Sequence, residues 1–132
     1  MNEDVFHGEI ADHYREGDVI YHVLKDDVII YDLDAAKQFL SERLSFANGK
    51  DYAMIFNCNN MKTANMEAQK FDATDEALQG LTMMAVIVQS KIQQVLGNIY
   101  MMMQKPKVQT KLFTNKEDAK KWVEKQKHSL AA

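Results

Sequence analysis

The sequence predicts an α/β fold. Three observations carry that prediction. The chain opens with a β-hairpin pattern, Ile10 to Tyr14 and Val19 to Leu24, around Glu16-Gly17-Asp18. Two near-continuous apolar runs, Tyr52 to Phe56 (YAMIF) and Thr82 to Val88 (TMMAVIV), have the length of strands and the composition of strands covered on both faces. From Leu81 to Trp122 the text reads strand, capped helix, proline stop, strand, capped helix. At 132 residues, 46% of them apolar, residues 1–132 make one domain with enough apolar side chains for a core.

The hairpin depends on its turn. A three-residue turn puts Ile10, Tyr14, Ile20 and Leu24 on one face, with Asp12 and His22 between them. A two-residue turn slips the register and breaks that set. Val28 to Tyr31 is a short extended lead-in to the first helix, which Asp32 or Asp34 caps by accepting a backbone N–H. Its apolar positions are Ala36, Phe39, Leu40 and Leu44, and Asn48-Gly49 ends it with residues tolerant of positive φ.

After Tyr52–Phe56 the chain turns through Asn57-Cys58-Asn59-Asn60. A weaker helical region spans about 65–79, with Met66, Phe71, Ala77 and Leu78 facing inward and Asp72-Ala73-Thr74-Asp75 breaking or re-capping it. Ser90-Lys91-Ile92-Gln93 fits a capping box, and the helix it opens presents Ile92, Val95, Leu96, Ile99, Tyr100 and Met103. Gly97 costs that helix about 1 kcal/mol relative to Ala, which close packing against the sheet would offset. Pro106 stops it. Val108 to Phe113 is the next strand, and Thr114 to Glu117 is a second capping box before a helix that turns Ala119, Trp122 and Val123 to the sheet. Alternation after the hairpin calls for parallel strands joined by right-handed crossovers.

This order, together with Ala85-Val86-Ile87-Val88, Leu96-Gly97-Asn98-Ile99-Tyr100, Pro106 through Thr114, Glu117-Asp118-Ala119 and Trp122, resembles the STAS fold, and most closely its small SpoIIAA-like proteins. The resemblance covers most of the chain as topology and residues 82–123 as motif. It implies a mixed sheet of about five strands with about four helices, and a domain that binds a partner protein; some relatives bind nucleotides or lipid-like ligands. In the anti-sigma-factor antagonists of this fold, a serine in the loop after the strand equivalent to Tyr52–Phe56 is phosphorylated. Here that loop, Asn57 to Asn65, lacks the Asp-Ser-Ser-Gly signature and Thr63 is its only hydroxyl, so the phospho-switch does not carry over.

Other function classes find little support. With a net charge of -3 there is no basic excess to neutralise phosphates, so nucleic acid is not expected as a partner. The acidic N-terminus has no h-region and no apolar run reaches the ~20 residues of a membrane span, so a cytoplasmic protein is expected. The single cysteine, Cys58, excludes an internal disulfide and reads as a buried thiol. His7, His13, His22 and His128 have no metal-ligand spacing, and half-buried or surface positions are expected for them. His13 and His22 lie on the hairpin, where a carboxylate such as Asp12 could join them. Cys58 with a distant histidine, such as His22, could be imagined as a nucleophile pair, though a buried core thiol is the plainer reading. No catalytic residue, metal or cofactor is expected.

The expected function is a non-catalytic protein-interaction or regulatory module; the alternative is a binder of a small apolar or nucleotide-like ligand. Ligands of open α/β sheets sit at the C-terminal edge of the parallel strands, here Asn57 to Asn65 and Gln89-Ser90. The candidate binding residues are Asn57, Asn59 and Thr63 in that loop, Ser90 at an anion-friendly helix start, and Tyr100 with Met101, where surplus methionines (nine in the chain) would form a dimer face or an apolar groove. Each has a plainer role as loop residue, cap or core filler. The partner protein is unknown, and a homodimer is possible.

Overall fold

The computed structural model describes residues 4–58, 60–90, 94, 97 and 107–131. Strands β1 (Val5–His7), β2 (Ala11–Glu16), β3 (Val19–Leu24), β5 (Tyr52–Asn57), β7 (Leu81–Ile87) and β8 (Thr110–Phe113) form one 6-stranded sheet in the order β1-β2-β3-β5-β7-β8. The first three pair antiparallel, and β3, β5, β7 and β8 run parallel. Two short strands, β4 (Ile30–Tyr31) and β6 (Thr63–Ala64), pair parallel beside it. The described helices are α1 (Leu33–Ala47), α2 (Met66–Asp72), α3 (Asp75–Leu78) and α4 (Lys116–Ala131); Gln94 and Gly97 are also helical. The mixed sheet and four helices match the expected class. The sheet has one strand more than expected because the residues before the hairpin add an edge, and the lead-in to α1 pairs with the loop after β5.

The parallel core follows from residue alternation. Tyr52, Met54 and Phe56 of β5 face α1 and α2, whereas Ala53 and Ile55 face α4, beside Met83, Ala85 and Ile87 of β7. Every residue from Tyr52 to Phe56 is therefore buried, as an apolar run without alternation requires. Strand β7 is less symmetrical. Met83, Ala85 and Ile87 are buried under α4, but Met84 and Val86, on the opposite face, are only half-buried. That face does not close as tightly, and the opening becomes the site described below.

Caps set the helix limits. Asp32 accepts the Ala35 N–H at 2.8 Å and Asn48 ends α1 in the left-handed region at φ 52. Asn65 starts α2 and Thr74 re-caps the chain into α3, as the Asp72–Asp75 break suggested. Met66, expected inside, is instead 56% exposed; one residue into α2, it lies on the side away from Ala68, which is fully buried. The last helix is capped by Asn115 rather than Thr114. Asn115 accepts the Asp118 N–H at 2.8 Å while its amide donates to the Asp118 carboxylate at 3.0 Å. Asn is the better cap, and the reciprocal pair shifts the start by one residue. Of the Ser90 box, Gln93 lies outside the described residues, but the Ser90 carbonyl accepts the Gln94 N–H at 2.9 Å, the first turn of a helix. At Gly97 an added Cβ would overlap the end of the Leu112 side chain, so a larger residue there would have to displace it from β8. Among the described residues no helix is long and apolar enough to cross a membrane.

The hairpin takes the two-residue turn. Gly17, at φ +64, and Asp18, which has no positive φ, give the II′ pattern whose twist suits paired strands. The register slips accordingly: Tyr14 pairs with Tyr21, His13 with His22, and Ala11 with Leu24. On the face of Ile20, His22 and Leu24 the slip therefore places Ala11 and His13 instead of Asp12 and Tyr14, and both histidines are fully buried.

Candidate functional site

Two features meet at one residue, Arg43. The first is a chain of buried polar side chains. His13 and His22 are each fully buried, with Nδ1 to Nδ1 2.6 Å apart. His13 Nε2 lies 2.9 Å from Glu42 Oε1, and His22 Nε2 lies 3.0 Å from the Tyr52 hydroxyl. That hydroxyl accepts a long hydrogen bond, 3.4 Å, from Arg43 Nη1. Helix α1 supplies both ends of the chain from adjacent positions, and β2, β3 and β5 supply the middle.

One arrangement of protons uses every donor. Glu42 is an acceptor, so His13 donates from Nε2 and, being neutral, accepts at Nδ1. His22 then donates from Nδ1 and accepts at Nε2, where the Tyr52 O–H donates. The Tyr52 oxygen is left to accept from Arg43. Protonating either ring reverses a bond and strands the Tyr52 proton. Electrostatics agree. Burial lowers the His13 pKa against the opposing pull of Glu42, and burial, His13 and Arg43 together hold His22 well below the ordinary histidine value. Burial works to raise Glu42, but hydrogen bonds from His13, from Gln38 and from the Ile10 N–H outweigh it and keep the carboxylate ionised. A Cβ at Gly8 would overlap that carboxylate, so the backbone passes Glu42 as closely as only glycine permits. Phe39 stacks on Phe56 with centroids 4.5 Å apart and turns its edge to His22, sealing the chain from water.

The second feature is a cavity of about 380 Å³ lined by the sheet, by α1, α2 and α3, and by the helical residue Gly97. Its floor is Met54, Phe56, Met84, Val86 and Val88; Phe39 and Leu40 come from α1, and Met61 to Ala64 line it from the small sheet. Among the described residues its polar groups are few: Arg43, Tyr31, Asp72, Gln69, Lys62, Thr63 and the Cys58 thiol. Apolar walls with a few convergent polar groups are the usual make-up of a small-molecule site. Burial pushes Asp72 up to about 6, against the hydrogen bond from the Tyr31 hydroxyl and the attraction of Arg43. Burial, then the charge of Asp72, raises Tyr31 well above its ordinary range. The Cys58 thiol is pushed up to about 12, again by burial and then Asp72.

Arg43 is 1% exposed and lines the cavity. Besides Tyr52 it donates from Nη1 to the Gln79 carbonyl at 3.0 Å and from Nη2 to the Ala77 carbonyl. These bonds hold α1 to the end of α3. No carboxylate among the described residues forms an ion pair with it.

The residues singled out from sequence fall in different places. Thr63 lines the cavity, near the C-terminal ends of β5 and β7. Asn57 faces the other side of the sheet, where its amide donates to the Tyr21 hydroxyl at 2.8 Å. Ser90 is half-buried at its helix start. Asn59, Tyr100 and Met101 lie outside the described residues. His13 and His22 do meet, but the carboxylate that joins them is Glu42. Asp12 instead pairs with His7 and Lys25 on the surface. Both His13 and His22 were expected at surface or half-buried positions and are fully buried: the register slip turns His13 inward, and His22 shares the inward face of Ile20 and Leu24 in either register. Both ring nitrogens of His22 are taken and Cys58 is buried and protonated, so the two do not form a nucleophile pair. Among the described residues no cluster of three or more His, Cys, Asp or Glu side chains could hold a metal ion.

Sequence reading missed Glu42 and Arg43. A signal was present for Arg43. It stands seven residues after Ala36 and four after Phe39, squarely on the apolar stripe of α1, where a charge is out of place unless it is partnered.

An antiparallel hairpin leading into a parallel, helix-covered sheet, with a cavity on one face, is the arrangement of a SpoIIAA-like fold. The chain belongs to the family of the domain of unknown function DUF7793, which matches residues 13–127. Among solved structures it is similar to an uncharacterized protein of the DUF3478 family with a SpoIIAA-like fold, from Shewanella loihica PV-4. That likeness has a TM-score of 0.61 at 17% identity and covers 89% of this chain and 94% of that one. No curated protein matches the chain.

Proposed function

We propose that this domain is a non-catalytic binding module whose ligand is a small, largely apolar molecule held between the sheet and α1–α3. The observation that carries this reading is the cavity itself. A space of about 380 Å³ with apolar walls is unfavourable to leave unfilled, because its lining loses dispersion contacts and gains none from water. Regulation would follow if occupancy changes how α1, α2 and the small sheet present themselves to a partner.

Native mass spectrometry of freshly purified protein tests the reading. A co-purified mass, released on denaturation and absent from a Val86→Trp variant that fills the cavity, is the expected result. A bare chain mass, together with no uptake of aliphatic alcohols, counts against it.

A second reading, docking of a partner protein, is favoured by the exposed side chains Ile29, Ile30 and Met66. Ile30 is 63% exposed and pairs with Thr63, so an apolar patch flanks the cavity wall. A second copy of the chain is the partner that sedimentation reads directly: association that is lost in Ile30→Asp supports it, and a wild-type monomer at all concentrations removes the homodimer.

A further inference from the structure

Arg43 brings a positive charge to an apolar cavity without an ion-pair partner. A guanidinium has five N–H donors in a fixed fork. The carbonyls of Gln79 and Ala77 and the Tyr52 hydroxyl take three hydrogen bonds, all on Nη1 and Nη2. The remaining donors have no partner among the described residues, although the side chain is 1% exposed. A buried cation normally carries a carboxylate beside it, since desolvation is costly without one. Glu42, its neighbour in sequence, is committed to His13, Gln38 and two backbone N–H groups. Asp72 lines the same cavity but makes no ion pair with Arg43, and its carboxylate accepts instead from Tyr31.

We propose that the missing partner is the ligand's own carboxylate: the cavity takes an aliphatic monocarboxylate, with its head on Arg43 and its chain along Met54, Met84 and Val86. This rests on the reading of the cavity as a ligand site and names the class of ligand. The size agrees. At ~30 Å³ for each water-sized group, the volume holds roughly a dozen non-hydrogen atoms, a medium-length chain and its head. Tyr31 and Asp72, joined by a hydrogen bond of 3.4 Å, line the same cavity as Arg43. A neutral apolar ligand would fill the walls and leave the guanidinium donors unmet. An amine would be repelled by Arg43 and attracted only by Asp72.

Calorimetric titration of the wild-type protein with octanoate, 1-octanol and octylamine at neutral pH separates these cases without any variant. Octanoate is expected to bind about tenfold or more tightly than either other ligand, the usual gain from a hydrogen bond to a charged group. In Arg43→Met that preference disappears while octanol binding persists. Arg43→Met also removes three structural hydrogen bonds, so Asp72→Asn provides a second arm. With the competing carboxylate gone, octanoate binds several-fold more tightly and octanol is unchanged. Equal binding of acid and alcohol overturns the role of Arg43 and leaves the cavity reading standing. Preference for octylamine also overturns it and makes Asp72 the anchor. If none of the three binds, both this proposal and the cavity reading fall.

Discussion

At the scale of single residues, the molecule is organised around side chains that a polarity count would place on the surface. Glu42 and Arg43 are adjacent on α1, yet each terminates the same buried chain of hydrogen bonds through His13, His22 and Tyr52. The histidines make folding pH-dependent. Each has a folded pKa below the ordinary value near 6.5, so its neutral form contributes stability above that value. That stability is lost as pH falls through 6.5 toward the folded values, because the unfolded chain binds protons that the native state refuses. Glu42 adds a second loss below about 4.5, where the unfolded carboxyl protonates and the folded one resists. Chemical denaturation from pH 8 to 5 should therefore show stability falling below pH 6.5. His22→Phe should cost about 1–3 kcal/mol at pH 8, since it strands the Tyr52 hydroxyl and His13. It should also flatten the acid slope. An unchanged slope in that variant would assign the titration elsewhere. Gly8→Ala probes the same network from the backbone: it must push the Glu42 carboxylate from its four hydrogen bonds, and destabilisation at pH 8 with a weakened acid slope is expected.

At the scale of elements, one turn decided what the hairpin could carry. The apolar alternation of 10–14 and 19–24 showed that a hairpin exists, and it allowed either face inward. What settled the register was Gly17, whose positive φ suits a two-residue turn, and the partner that two inward histidines find on α1. That partner lies 29 residues beyond His13, so no local pattern reveals it. The parallel strands were legible because burial on both faces leaves an apolar run, and caps such as Asp32 and Thr74 were legible because their chemistry is local. Small pairings, β1 on β2 and β4 on β6, were not, because a two- or three-residue strand has no period to read. Gly17→Val forces a β-branched residue into the left-handed region and should lower stability by about 1–2 kcal/mol. Equilibrium unfolding measures it; no loss would mean that the turn re-forms in another register.

At the scale of the whole molecule, the sheet is closed unequally. Helix α4 seals one face, tied at its far end to the hairpin by Lys127 on Asp18, while the other face keeps a cavity. Residue types alone do not show this, since Met83 and Met84 look alike in sequence and differ in which face of β7 they occupy. Of the residues singled out from sequence, Thr63 lines the cavity and Ser90 does not; Arg43 and Asp72, which give the cavity its chemistry, come from helices. Asp72 has its folded pKa raised to about 6, so its protonated form is the better fitted to the fold. Its contribution is fully present below the unfolded value near 4 and is lost as pH rises through 6. Asp72→Asn should therefore raise the melting temperature at pH 7.5 and leave it nearly unchanged at pH 4.

The cavity's role is open to one direct measurement, the thermal melting of the wild-type protein and of Val86→Trp with increasing octanoate. A ligand that binds only the native state raises stability by RT ln(1 + [L]/Kd). The wild-type melting temperature should climb with concentration, and that of the cavity-filled variant should start higher and stay level. A wild-type melting temperature that does not move, or an equal climb in both proteins, would contradict a ligand between the sheet and α1–α3.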